Sequence, residues 1–164
     1  SKDQLNLYFV SDMEGSSKTS EGKSSKDIWM VSRTSENGKW GNPVNLSAPV
    51  NSPGEELFPY VHPDGTLYFS SDGHIGMGGL DLYKALKNEN GQWQVENLRY
   101  PINSAADDFG ITFENDRESG YFSSTRKGKT SDDIYSFLLP PLKFKRVSCH
   151  GKIGSLASYL EPLQ

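Results

Sequence analysis

The sequence predicts an all-β protein made of four-stranded antiparallel sheets, a β-propeller of which about three blades are present. Two observations support this prediction. Short runs of apolar, aromatic and β-branched residues alternate with turn-forming residues, and the same short motifs recur at a spacing of 52 to 54 residues. A repeat of about fifty residues that contains four strands is typical of propeller blades.

The middle repeat shows the four strands most clearly. Its strand-like runs occupy positions 57–61, 66–71, 81–86 and 92–98. Asp64-Gly65 and Asn90-Gly91 lie between neighbouring runs, and a glycine there permits the positive φ that tight turns require. Positions 72–79 are rich in glycine and predict a loop between the second and third strands. We therefore expect an antiparallel meander.

Short motifs of the middle repeat recur on both sides of it. The motif Asp-Leu-Tyr at Asp81 corresponds to Asp-Ile-Trp at Asp27 and Asp-Ile-Tyr at Asp133, at steps of 54 and 52 residues. Pro-Val-Asn-Ser at Pro49 returns as Pro-Ile-Asn-Ser at Pro101, a step of 52 residues. We assign blades to positions 5–48, 55–98 and 107–138, within a partial propeller at 1–139.

The motif content of the repeat resembles a known family. His-Pro-Asp-Gly, Leu-Tyr-Phe-Ser-Ser-Asp-Gly, Gly-Met-Gly-Gly and Asp-Leu-Tyr succeed one another within residues 62–83. This order resembles the TolB-like, WD40-like propeller repeat. It is most similar to the repeats of OmpA-family, peptidoglycan-associated envelope proteins of Bacteroidetes, including the type IX secretion component that combines propeller, regulatory-like sandwich and OmpA-like domains.

The resemblance implies a location and a role. It implies the periplasm, in association with the outer membrane, and a non-enzymatic scaffold that binds protein partners of the cell envelope. Such a scaffold would link type IX secretion machinery to the peptidoglycan and outer membrane. Contact with peptidoglycan itself would come from a domain outside this chain.

The ends of the chain predict that it is part of a larger propeller. A closed ring needs at least four blades, which is more than 164 residues provide at this period. We therefore expect the chain to associate with a second copy or with further blades. Pro140-Pro141 marks a boundary, and residues 140–164 are assigned as a linker. Their continuation is either an outer blade strand at 143–153 or the start of a carboxypeptidase-regulatory-like β-sandwich.

Composition excludes several classes of function. The net charge of −4 and the pI of about 5.4 are unfavourable for binding nucleic acid. No apolar run reaches membrane-spanning length, so we expect no transmembrane segment. The single cysteine, Cys149, cannot form an internal disulfide. The histidines lack metal-ligand spacing and the glycine-rich segments lack a phosphate-binding motif, so we expect no cofactor or metal.

Recurring acidic residues are the strongest candidates for catalysis. Glu55-Glu56 corresponds to Asp107-Asp108, and one aspartate opens the third strand of each repeat. Because catalytic residues seldom recur in every repeat, we interpret these acids as turn and loop contacts and expect no enzyme activity. The alternative is an enzyme or glycan-binding propeller whose site lies in further blades.

The loops between the second and third strands form the candidate partner-binding face. They lie at positions 11–26, 73–79 and 126–131 and differ most between repeats, and we expect them to share one face of the propeller. The candidate partner-binding residues are His74, Met77, Arg126, Lys127 and Lys129. Exposed on that face, they would fit a partner with acidic and apolar groups. The alternative is that these loops are only solvated.

Overall fold

The computed structural model describes residues 1–114, 119–127 and 131–138, and this part of the chain is all-β, without a helix. The strands are β1 Asn6–Ser11, β2 Asp27–Ser32, β3 Val44–Asn45, β4 Glu56–Val61, β5 Leu67–Ser71, β6 Asp81–Lys87, β7 Trp93–Asn97, β8 Asp108–Phe113, β9 Ser119–Ser124 and β10 Asp133–Leu138. The residues assigned as a linker, 140–164, lie outside the described residues, and so do both alternatives for their continuation, the outer blade strand and the β-sandwich.

The strands form three antiparallel sheets. The first sheet has the order β1-β2-β3, the second β4-β5-β6-β7 and the third β10-β9-β8. The all-β, antiparallel prediction is therefore confirmed, and the four strands of the second sheet begin and end within one residue of the predicted runs. The first and third sheets have three strands each in the described residues, where four per blade were expected.

The second and third sheets share one irregularity in their first strand. Pairing shifts register after Leu57 in β4 and after Phe109 in β8. The next residues, Phe58 and Gly110, have φ values of 53° and 66°, so both strands bend at equivalent positions. Phe58 adopts this unfavourable conformation while its ring stacks on that of Phe109, at a centroid distance of 5.2 Å.

The sheets pack face to face around two apolar clusters. The cluster between the first and second sheets contains Ile28, Val50, Leu67, Phe69, Tyr83 and Ala85. The cluster between the second and third sheets contains Leu82, Ile102, Ile111 and Phe122. Side chains alternate across a strand, so Leu67 and Phe69 of β5 enter the first cluster while Tyr68 packs against the second. The second sheet is therefore covered on both faces.

None of the described residues belongs to a helix with the length and apolarity needed to cross a membrane.

Candidate functional site

Glu56 is the most strongly perturbed acid in the described residues. It begins β4 and is fully buried. Its carboxylate accepts hydrogen bonds from the Ser52 amide at 2.9 Å, the Ser52 hydroxyl at 2.6 Å and the Ser71 hydroxyl at 2.7 Å. Burial raises the pKa of Glu56 to about 7, and the charge of Asp27 acts in the same direction, against the lowering effect of the hydrogen bonds.

Asp108 repeats this arrangement 52 residues later. It begins β8, is fully buried, and accepts from the Ser104 amide at 2.6 Å and the Ser104 hydroxyl at 2.8 Å. A carboxyl pKa near neutrality also occurs in catalytic acids. Here Glu56 and Asp108 are enclosed by the loops that they hold, and the raised pKa of Glu56 results from its burial in this structural position. The loop-contact interpretation of these two acids is confirmed.

The aspartates that open the third strands also hold loops. Asp27 accepts from the Ser17 amide at 2.8 Å and from the Ser25 hydroxyl at 3.0 Å. Asp81 accepts from the amides of Met77 and Gly78, at 2.7 and 2.9 Å. These bonds fix the ends of the second-to-third strand loops in the first two sheets. The corresponding Asp133 is half-buried, so its environment differs from that of the other two.

Two buried asparagines connect successive sheets, and the sequence did not reveal their role. Asn51 accepts from the Ile28 amide and donates to the Ile28 carbonyl, both at 2.9 Å. Asn103 does the same with Leu82, both at 2.8 Å. Each side chain bonds to the main chain of a strand in the preceding sheet as a neighbouring β-strand would. Asn51 bonds to β2 and Asn103 to β6. The available signal was the recurring Pro-x-Asn-Ser motif, but the partners lie 23 and 21 residues earlier.

His74 is less exposed than expected. Its side chain is 20% exposed, and its ring packs against the rings of Phe69 and Tyr83, at centroid distances of 5.8 and 5.1 Å. His74 Nε2 lies 2.9 Å from the Val50 carbonyl oxygen, which can only accept, so this nitrogen carries a proton. It also lies 3.9 Å from Glu56 Oε1. His74 is therefore half-buried, because this site gives the ring both apolar contacts and an acceptor.

Arg126 also points inwards. Its Nη2 atom donates at 2.5 Å to Asp108 Oδ1 and to the Ile102 carbonyl, and its side chain is 22% exposed. The guanidinium group lies over the rings of Phe122 and Tyr135, at 5.0 and 4.8 Å from their centroids. Arg126 is therefore paired with the buried Asp108 of its own sheet and is not a free positive charge on the loop face. Arg126 bonds to the Ile102 carbonyl as His74 bonds to the Val50 carbonyl in the second sheet.

The other predicted residues have different outcomes. Met77 is 50% exposed and its neighbour Ile75 is 97% exposed. Lys127 is exposed, with Nζ 5.4 Å from the centroid of the Tyr135 ring. Lys129 lies outside the described residues. The structure thus places His74 and Arg126 in two different sheet interfaces, and leaves Ile75, Met77 and Lys127 on the surface of the second-to-third strand loops.

A groove that the sequence did not predict runs between the second and third sheets. Its volume is about 720 Å³, which is within the range of small-ligand sites. It is lined by Tyr68, Lys84, Val95, Glu96, Asn97, Leu98, Arg99, Ile102, Ile111, Phe113 and Phe137. The charged groups on its walls are partly paired, since Lys84 Nζ lies 2.9 Å from Glu96 Oε2. The groove is therefore a gap between two sheets whose lining combines polar and apolar groups to a similar extent.

Comparison with protein-family models gave no match, and comparison with curated proteins gave none either. Across the described ranges, no group of three or more histidine, cysteine, aspartate or glutamate side chains could hold a metal ion.

Proposed function

We propose that this chain is part of a β-propeller that serves as a non-enzymatic protein-interaction scaffold in a periplasmic assembly of the cell envelope. The scaffold is associated with the outer membrane and links type IX secretion machinery to the peptidoglycan through partner proteins and further domains. The location and the assembly rest on the resemblance of the repeats to TolB-like repeats of OmpA-family envelope proteins. The propeller architecture rests on the repeat and on the packing of the sheets.

The observation that carries the proposal is that equivalent residues make equivalent contacts in successive sheets. Glu56 and Asp108 occupy equivalent buried positions, and Asn51 and Asn103 make equivalent contacts with the preceding sheet. These equivalent contacts between successive sheets support the proposed arrangement, because the blades of a propeller follow one another with similar contacts. The recurring acids are used to hold this stack together, which favours a scaffold over a catalyst.

The surface of the second-to-third strand loops supports a role in binding protein. Ile75 and Met77 expose apolar side chains from a loop whose backbone is held by Asp81. Exposed apolar groups on a rigidly supported loop are well placed for docking, because little conformational entropy is lost on binding. Lys127 adds a positive charge on a neighbouring loop. We therefore propose a partner that presents apolar and acidic groups to this face.

The test is affinity capture from a bacterial envelope extract with the immobilised protein, coupled to quantitative mass spectrometry. The loop-face variant carries Ile75→Ser and Met77→Ser, which remove the apolar side chains without adding a charge beside the buried Asp81. The matched control is Glu89→Lys, an exposed substitution in the hairpin at the opposite end of β6. The proposal predicts at least a fivefold loss of specific envelope partners for the loop-face variant and wild-type recovery for the control.

Recovery that is equal for the wild type and the loop-face variant would contradict binding through this face. Hydrolysis of a glycoside or peptide substrate by the purified protein, lost in Glu56→Gln, would contradict the non-enzymatic role. The two results are independent, so the binding face and the absence of catalysis are tested separately.

A further inference from the structure

Asp81 and Tyr83 bring two buried polar groups together beneath the second-to-third strand loop of the second sheet. The two side chains are 1% and 2% exposed, and among the described residues neither Asp81 Oδ1 nor the Tyr83 hydroxyl has a hydrogen-bond partner. Both groups lie beside Gly76, where a Cβ atom would stand 2.8 Å from Asp81 Cγ and 2.9 Å from the Tyr83 hydroxyl oxygen. Buried polar groups that stay unpaired cost free energy, so this pair requires a partner.

The equivalent aspartate of the first sheet is paired at both oxygens. Asp27 Oδ1 accepts from the Ser25 hydroxyl at 3.0 Å, and Asp27 Oδ2 accepts from Asn45 Nδ2 at 2.7 Å. Two residues later in the chain, Trp29 Nε1 donates to the Ser16 hydroxyl at 3.2 Å. Side chains of the protein itself therefore satisfy these positions in the first sheet.

The second sheet lacks the corresponding side-chain donors. Its loop at positions 72–80 contains no serine or threonine, so it has no counterpart of the two hydroxyls that serve the first sheet. Asn97 pairs with β6 as Asn45 pairs with β2, but its Nδ2 donates to the Ile75 carbonyl at 3.2 Å. The two loop amides that bond to Asp81 both reach Oδ2, so Oδ1 depends on a donor from elsewhere.

The Tyr83 hydroxyl lies near the same groups without bonding to them. Burial raises the pKa of Tyr83, the Asn97 carboxamide acts against this rise, and the negative charge of Asp81 adds to it. Neither neighbour reaches hydrogen-bonding geometry with the hydroxyl. A molecule between the two groups must donate to a carboxylate oxygen and can accept from a tyrosine hydroxyl. Water meets both requirements.

We propose that one buried water molecule binds between Asp81 and Tyr83, donating to Asp81 Oδ1 and accepting from the Tyr83 hydroxyl. Buried waters commonly join polar groups of this kind. A metal ion fits less well, because in the described part of the chain no three ligating side chains come together.

The water completes the hydrogen bonding of Asp81, whose other oxygen holds the amides of Met77 and Gly78. Tyr83 is thereby a positioning residue for this loop. The inference goes beyond the proposed function and does not depend on it, because it concerns the buried base of the loop and not its exposed side chains.

A high-resolution crystal structure tests the position of the water directly. We expect one oxygen at about 3 Å from both Asp81 Oδ1 and the Tyr83 hydroxyl. Asp27 is the internal control, because protein side chains already bond to both of its oxygens and no such water is expected between it and Trp29.

The variant Tyr83→Phe tests the same claim in solution, with the exposed substitution Tyr100→Phe as control. Removing a hydroxyl that bonds to water beside a buried carboxylate should lower the midpoint of urea unfolding, whereas removing an unpartnered buried hydroxyl should raise it. Amide hydrogen exchange of Met77 and Gly78 should become about fivefold faster in Tyr83→Phe. Exchange of the Ser17 amide, which Asp27 holds, should not change.

Three results would overturn the proposal. The first is a raised urea midpoint for Tyr83→Phe, because the hydroxyl would then have no partner. The second is a crystal structure in which Asp81 and Tyr83 bond directly to each other. The third is an occupant with several oxygen ligands at about 2.4 Å, together with stabilisation by added calcium, because a cation would then fill the site.

Discussion

The interface between the first and second sheets is closed more completely than the interface between the second and third. The buried residues of the first cluster are at most 2% exposed, whereas Ile102, Ile111 and Phe122 of the second are 3 to 8% exposed. Trp93 and Val95 of β7 pack against the first cluster from the outside, and the described part of the third sheet has no strand equivalent to β7. The groove of about 720 Å³ opens beside the second cluster. β7, the fourth strand of the second sheet, therefore covers the outer side of the interface with the first sheet.

The two interfaces also differ in the group that covers the buried acid. Asp108 is paired with Arg126, whose guanidinium group remains charged at every accessible pH. Glu56 receives neutral donors from Ser52 and Ser71, and His74 stands 3.9 Å away. Equivalent positions therefore neutralise a buried carboxyl in two ways, by a permanent charge in one interface and by a raised pKa in the other.

The largest effect on stability is expected from Arg126→Leu. The substitution leaves the fully buried carboxylate of Asp108 without its cation, and removing one partner of a buried ion pair costs about 3 kcal/mol. The control is His74→Leu, which removes one hydrogen bond to the Val50 carbonyl and should cost about 1 kcal/mol. Urea unfolding measures both. Losses of equal size would contradict the claim that the buried acids of the two interfaces are stabilised by different kinds of group.

A smaller effect, equal in both interfaces, is expected from Asn51→Ala and Asn103→Ala. Each substitution leaves the buried amide of Ile28 or Leu82 without an acceptor, at a cost of about 2 kcal/mol. The free energies of unfolding of the two variants should agree within about 0.5 kcal/mol, because the two contacts have the same geometry. A clearly smaller loss for Asn103→Ala would mean that the groove admits water to this bond.

The strands and the role of two acids could be predicted from the sequence because their signals are local. The runs of the second sheet are bounded by turn residues, and Gly65 and Gly91 have φ values of 92° and 75°, as tight turns require. The role of Glu56 and Asp108 was indicated by their recurrence. An acid that recurs at the same position in successive repeats is expected to have a structural role, even before its hydrogen-bond partners are known.

The remaining features depend on contacts between residues distant in sequence. His74 and Arg126 lie in polar, glycine-containing loops that predict exposure, yet each turns inwards to a carbonyl about 24 residues earlier. The acceptor at Val50 or Ile102 becomes available only when the sheets are stacked. The groove beside Phe137 depends in the same way on how two sheets meet, and no local pattern encodes it.

Glu56 is a buried structural acid whose pKa is raised by its enclosure. Its native pKa of about 7 lies above the ordinary value of 4.5, so its contribution to stability is complete below about pH 4.5 and is lost as the pH rises through 7. Glutamine at this position cannot lose a proton.

The most direct test is the pH dependence of the unfolding free energy of Glu56→Gln, with the exposed substitution Glu89→Gln as control. Relative to the wild type, Glu56→Gln should gain on the order of 3 kcal/mol between pH 4.5 and a pH above 7, while Glu89→Gln should stay parallel to the wild type. A difference between Glu56→Gln and the wild type that is constant over this range would contradict a raised pKa of Glu56, because Glu56 would then ionise as an ordinary exposed carboxyl does.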